Sequence, residues 1–335
     1  RFLAPLAPLA GLAPEADLTH PWAIIGATGR LGRALSAHPG IGGSVALARR
    51  QPAAAGPWAR FICADRSDHG ALCAALDGAA VVVDLCIFDR ADADGLIAAW
   101  QAVQRPPRLL VFASSLAERL PARWSSPESE LAADPPPEDS YGLGKRRARL
   151  RLEQELPAPV LSLLLPGLIC PDDSGAAERR YLADARRLGH ALVPGSGLQR
   201  PAIATVAGVA EVLVALAGQA ISGHTVLQVA PSTGPTVGEL VQALLGGADL
   251  PPSWQSHPDP GWRGPHSGAD EVVDSSALRR RLPEFSWPDP LAACVLLGAH
   301  LAVEKTGRSS GITRSPTSST PVTGSIQSPS RSPVM

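Results

Sequence analysis

Apolar runs alternate with amphipathic stretches along most of this chain, and the alternation predicts its elements. WAIIG at 22–26 is a short apolar run that ends in glycine, and GATGRLGRALSAH follows it, so a strand, a Gly-rich turn and a helix fit this order. Further strands are expected at 44–50 (SVALARR), 61–68 (FICADRSD, with its end at Asp65), 79–88 (AAVVVDLCIF) and 108–115 (RLLVFASS). Helices are expected between them at 69–78 and 92–104. The run at 79–88 is continuous rather than alternating, as in strands covered on both faces. Strands that alternate with helices imply parallel βαβ units, hence an α/β fold of the Rossmann type with a doubly wound sheet.

Beyond 115 the pattern loosens. Residues 117–139 read as a polar, proline-rich loop, followed by a helix that begins near Tyr141. APVLSLLLPGLICP at 158–171 reads as a sixth strand running into a loop. Residues 200–218 hold a short strand and an apolar helix, 224–232 a strand, and 274–285 a short helix. The helix at 236–246 has a capping box, Thr236 with Glu239. This divides the chain into an irregular leader at 1–20, a nucleotide-binding domain at 21–170, a smaller substrate-binding region at 171–305 that returns elements to the first, and a Ser/Thr/Pro-rich tail at 306–335. The tail has no acidic residue and too little apolar surface to order itself. The leader is apolar but broken by Pro5, Pro8 and Pro14, and it lacks the cationic start and unbroken core of a signal peptide. The first residue is not Met, so the natural start can lie upstream.

Composition narrows the functional classes. The net charge is −1, which gives no reason to expect nucleic acid or an anionic membrane surface as partner. No apolar run reaches the roughly 18 residues that a membrane helix needs. Five cysteines with no CxxC pair argue against a disulfide framework or a zinc site and fit a reducing cytoplasm. The eight histidines form no HExxH or HxxxH, so no metal is expected.

Two stretches carry candidate chemistry. In GATGRLG, Gly26 permits a tight turn, Gly29 lets backbone approach a pyrophosphate, and Gly32 allows close helix packing, with helix N-terminal amides facing the phosphates. The second strand ends in Ala48, Arg49 and Arg50 with no carboxylate, which suits a 2′-phosphate, so NADP is favoured and NAD is the alternative. Arg30 in the turn could add to that phosphate site, and Asp65 sits where an adenine contact is expected or else caps its loop. In SYGLGKRRARL, Tyr141 and Lys145 lie four apart, on one face of a helix. The chain has only two tyrosines and two lysines, and this spacing arises by chance about once in a hundred times.

Together GATGRLG, CADRSD, VFASS, YGLGK, LLLPGLICP, GLQRPAIATVAGVA and TVGELVQAL resemble the extended short-chain dehydrogenase/reductase family, the NAD(P)-dependent epimerase/dehydratase group, over roughly residues 22–300. The gap from Ser115 to Tyr141 matches that family's. The resemblance implies that Tyr141 is the general acid/base, and that Lys145 lowers its pKa and holds the nicotinamide ribose. Ser115, in preference to Ser114, would hydrogen-bond the substrate oxygen. It also implies cofactor contacts from Gly26, Thr28, Gly29, Arg30, Leu31, Gly32, Arg49, Asp65 and Lys145, a small-molecule substrate, and pairing into a homodimer. Arg200 matches a position that grips the diphosphate in nucleotide-sugar members. The substrate side departs from the pattern: Leu165 and Leu168 replace the usual Arg and Asn, Gly208 replaces an acidic residue, and Arg149 stands where Glu is common. A non-catalytic NAD(P)-binding sensor or assembly factor on the same fold is the alternative reading, and a degraded gene product a third.

Overall fold

The computed structural model describes residues 20–52, 56–119, 140–259, 262, 264–266, 270–271 and 273–307. The expected leader up to 19, most of the loop at 117–139 and the tail from 308 lie outside the described residues. The chain forms β1 (His20–Ile25), α1 (Arg30–Ser36), β2 (Val45–Ala48), β3 (Arg60–Cys63), α2 (His69–Leu76), β4 (Ala79–Asp84), α3 (Arg90–Ala102) and β5 (Leu109–Ser115). A single 3-10 turn, Leu116–Glu118, follows β5. Then come α4 (Ser140–Glu155), β6 (Val160–Leu165), β7 (Gly167–Ile169), α5 (Arg179–Leu188), β8 (Ala191–Val193), β9 (Ile203–Thr205), α6 (Val206–Ala217), β10 (His224–Gln228), α7 (Val237–Gly247), β11 (Trp254–Ser256), α8 (Ser276–Arg281) and α9 (Pro290–Gly307).

Seven strands form one sheet in the order β10-β6-β5-β4-β1-β2-β3, and every pair in it is parallel. The order reverses at β1, which separates β4 from β2. Side chains of β1 alternate between two buried layers: Trp22 and Ile24 face α1 and α6, while Ala23 and Ile25 face α2, α3 and α4. Burial on both faces is why the strands read as unbroken apolar runs. A third cluster joins α5, α7 and α9.

Strand ends were the least legible. The strand expected at 79–88 stops at Asp84, whose carboxylate accepts the Cys86 amide at 2.8 Å and turns the chain away. Pro166 splits the run at 158–171, so β6 stays in the main sheet and β7 pairs with β9. The helix expected at 92–104 starts earlier, at Arg90, because the Asp89 side chain caps the Asp92 amide at 3.0 Å. The capping box at Thr236 and Glu239 is present.

Candidate active site

A cavity of about 880 Å³ opens at the C-terminal ends of β1 to β4. This is the crevice where open α/β sheets hold their ligands, outside the strand ends where the order reverses. Its floor is the turn from Gly26 to Gly29. Gly26 has φ +88°, and a Cβ there would lie 2.4 Å from the Cys86 Sγ, so both backbone and space demand glycine. A Cβ on Gly32 would lie 2.5 Å from the Ala27 and Gly26 backbone, so α1 sits directly on the turn that precedes it. The helix N-cap is Gly29, which brings no side chain, and no side chain caps the first amides.

The sequence candidates fall into different places. Gly26, Thr28, Gly29, Arg49 and Asp65 line the cavity. Leu31 is buried in the core and Gly32 packs beneath the turn. Arg30 is not among the lining residues; its Nε pairs with Asp173 at 2.5 Å, tying α1 to the segment after β7. Its neighbour Arg33 lines the cavity and pairs with Asp172 at 3.6 Å. Arg49 is exposed and pairs loosely with Asp65 at 3.9 Å, and its carbonyl meets the Cys63 thiol. Asp65 also accepts the Ser67 amide and hydroxyl, both at 2.9 Å, which hold its carboxyl below the usual range. It therefore caps its loop and lines the crevice at once. Arg200 lies outside the cavity, bonded to the Gly234 carbonyl and 3.9 Å from Glu239.

Tyr141 and Lys145 stand on the first turns of α4, which lies directly on the loop after β4: a Cβ on Gly144 would meet the Phe88 carbonyl at 2.6 Å. Lys145 is buried, and its Nζ donates to the Ile87 carbonyl at 2.6 Å and the Ala113 carbonyl at 2.9 Å. The same ammonium lies 4.6 Å from the Phe88 ring centroid and 5.9 Å from that of Tyr141. The Tyr141 ring is half exposed and tilts against Phe88 at 6.4 Å. Burial lowers the Lys145 pKa to about 8, against the pull of Asp84, Cys86, Glu118 and Asp92. Two residues beyond Ala113, the Ser115 Oγ accepts the Ala117 amide at 3.1 Å. Ser114, by contrast, is buried and bonded to Glu118.

Sequence reasoning missed four neighbours, Arg66, Asp84, Asp92 and Phe88. Arg66 lines the cavity and bridges Asp84 at 3.1 Å and Asp92 at 2.5 Å. Asp84 is fully buried, and desolvation pushes its carboxyl up in spite of Arg66. Phe88 is an exposed aromatic in the cavity lining. One signal was available: a carboxylate that ends an otherwise apolar strand needs a cation nearby. Among the described residues no His/Cys/Asp/Glu cluster is arranged to hold a metal, and no helix is long and apolar enough to cross a membrane.

Solved structures share this architecture over most of the chain. MoeE5 in complex with UDP-glucuronic acid and NAD aligns with a TM-score of 0.66 at 20% identity, over 86% of this chain and 99% of its own. The chain has the same fold. The UDP-glucuronic acid 4-epimerase from Bacillus cereus, in complex with UDP-glucuronic acid and NAD, aligns with a TM-score of 0.66 at 14% identity, over 85% and 99%. TunA, an NAD-dependent NDP-hexosamine 5,6-dehydratase involved in tunicamycin biosynthesis, aligns with a TM-score of 0.62 at 16% identity, over 86% and 98%. No protein-family model and no curated protein matches the chain.

Proposed function

We propose that this protein is an NAD(P)-dependent oxidoreductase or epimerase that acts on a carbonyl or hydroxyl of a small molecule, a nucleotide sugar among the candidates. The observation that carries the reading is the bare backbone floor of the crevice at the point where the strand order reverses, and neighbours of this fold are described in complex with NAD. The turn from Gly26 to Gly29 and the start of α1 would hold the pyrophosphate, and Asp65 the adenine side. Arg49, with Arg50 beside it in the cavity lining, would hold a 2′-phosphate, which makes NADP our choice over NAD. When bound, the nicotinamide supplies a hydride donor or acceptor.

The residues of the chain would supply the proton chemistry. Tyr141 gives or takes the proton at the substrate oxygen, with the Lys145 ammonium favouring its ionised form. The Ser115 Oγ already accepts the Ala117 amide, which leaves its own hydrogen to donate to the same oxygen. One observation favours a second reading, a non-catalytic NAD(P)-binding protein: Lys145 spends two of its donors on backbone carbonyls and lies under Phe88.

A fluorescence titration with NADPH and NADH separates these readings. NADPH should bind more tightly, and Arg49→Ala should cut that preference about tenfold. Tyr141→Phe should bind as the wild type does and turn over none of a panel of ketones and nucleotide sugars. A variant as active as wild type would remove Tyr141 from the chemistry. Wild type that binds but never turns over would favour the sensor.

A further inference from the structure

Tyr141, Lys145 and Arg149 follow one another at four-residue steps, so they share one face of α4. Lys145 reaches the end of β5 directly, and Arg149 reaches it through Glu118 of the turn that follows. Lys145 donates to the Ala113 carbonyl at 2.9 Å. Arg149 donates through its Nε to Glu118 at 2.8 Å, and the other Glu118 oxygen accepts the Ser114 hydroxyl. Arg149 also holds Glu153 through Nη1, at 3.0 and 3.1 Å. Glu118 and Arg149 are each 1% exposed. A carboxylate so deep needs a cation; besides Arg149, the buried Arg119 follows it in the chain, and the Lys145 ammonium is anchored at Ala113, one residue before Ser114.

We propose that Arg149 is a positioning residue: by binding Glu118 it keeps that buried carboxylate off Lys145 and leaves the ammonium to Tyr141. This rests on the proton role proposed above for Tyr141 and Lys145. Among the described residues the groups that hold the Lys145 proton against burial are Asp84, Cys86, Glu118 and Asp92, and Arg66 already bridges Asp84 and Asp92. Of these four, Glu118 is the one that pairs, among the described residues, with a cation from the Lys145 helix itself. Without Arg149 the Glu118 carboxylate would lose this ion-pair partner, and its charge would bear on Lys145. That charge would hold the ammonium and oppose a phenolate on Tyr141.

The chain allows a direct test that needs no substrate. It has two tyrosines, and the other, Tyr181, is fully buried and pushed above its ordinary range by desolvation. The first tyrosinate absorbance step therefore belongs to Tyr141, which Tyr141→Phe verifies by deleting it. Arg149→Met should raise that midpoint by about one pH unit. Arg149→Lys should stay within roughly 0.3 of wild type, and Glu118→Gln with Arg149→Met should return there, because it removes both charges together. If Lys145→Met raises the midpoint and Arg149→Met does not, this proposal falls while the proton role stands. If Lys145→Met moves nothing, both fall. Should Arg149→Met alone not fold, the double variant decides. A midpoint near wild type supports the charge account, and one as high as in Lys145→Met shows a structural brace and overturns it.

Discussion

Burial lowers the proton affinity of Lys145, and this couples the stability of the fold to pH. Unfolded, the amine titrates near its ordinary 10.5; folded, it titrates near about 8. Between these values the unfolded chain binds more protons, so stability rises with pH across the window. The Lys145 contribution should be worth up to about 3 kcal/mol, less whatever local relaxation returns. Urea unfolding of wild type and Lys145→Met between pH 7 and 10.5 measures it: the difference should shift toward wild type as pH rises, and parallel curves would refute the burial argument. At this scale the sequence was partly legible. The spacing of Tyr141 and Lys145 stood out because both residue types are rare here. The Asp84–Arg66–Asp92 bridge did not, because it joins the ends of β3 and β4, which β2 and β1 separate in the sheet. No local pattern encodes that meeting. Arg30 shows the reverse case: its place in the glycine turn suggested a phosphate contact, yet its side chain pairs with Asp173, 143 residues later.

Elements were legible wherever a period or a cap fixes them. Thr236 and Glu239 announce the start of α7, and the βαβ rhythm announces the parallel sheet. Their ends were not, because a strand stops where its neighbours stop pairing. Contact between α1 and its turn gives a sharp expectation. Gly32→Ala would place a methyl 2.5 Å from backbone atoms of Ala27 and Gly26, none of which can rotate away. Overpacking of this kind costs roughly 1–3 kcal/mol. The variant should melt lower, and because the strain is relieved by lifting α1 from the floor of the crevice, it should also weaken NADPH. An unchanged melting temperature would mean the turn is looser than its contacts imply.

Across the whole molecule, the division drawn at residue 170 crosses a shared core. Helix α6 packs Val209, Val212, Leu213 and Leu216 into the same cluster as β1 and α1, and β10 pairs with β6 at the sheet edge. Four such side chains bury roughly 6–12 kcal/mol, comparable to the entire stability of an ordinary domain. Residues 20–170 alone should therefore give no cooperative thermal transition and no NADPH binding, whereas the full chain gives both; a cooperative fragment would show the core to be divisible. The late arrival of β10 matters also during synthesis. Its first residue follows the last of β6 by about 60 residues, so at 5–20 residues per second the apolar flank VLSLLL waits on the ribosome for roughly 3–12 s before its partner emerges. A nascent chain with an open sheet edge for that long is a natural client for chaperones, and its yield in a cell should depend on translation speed between these two strands.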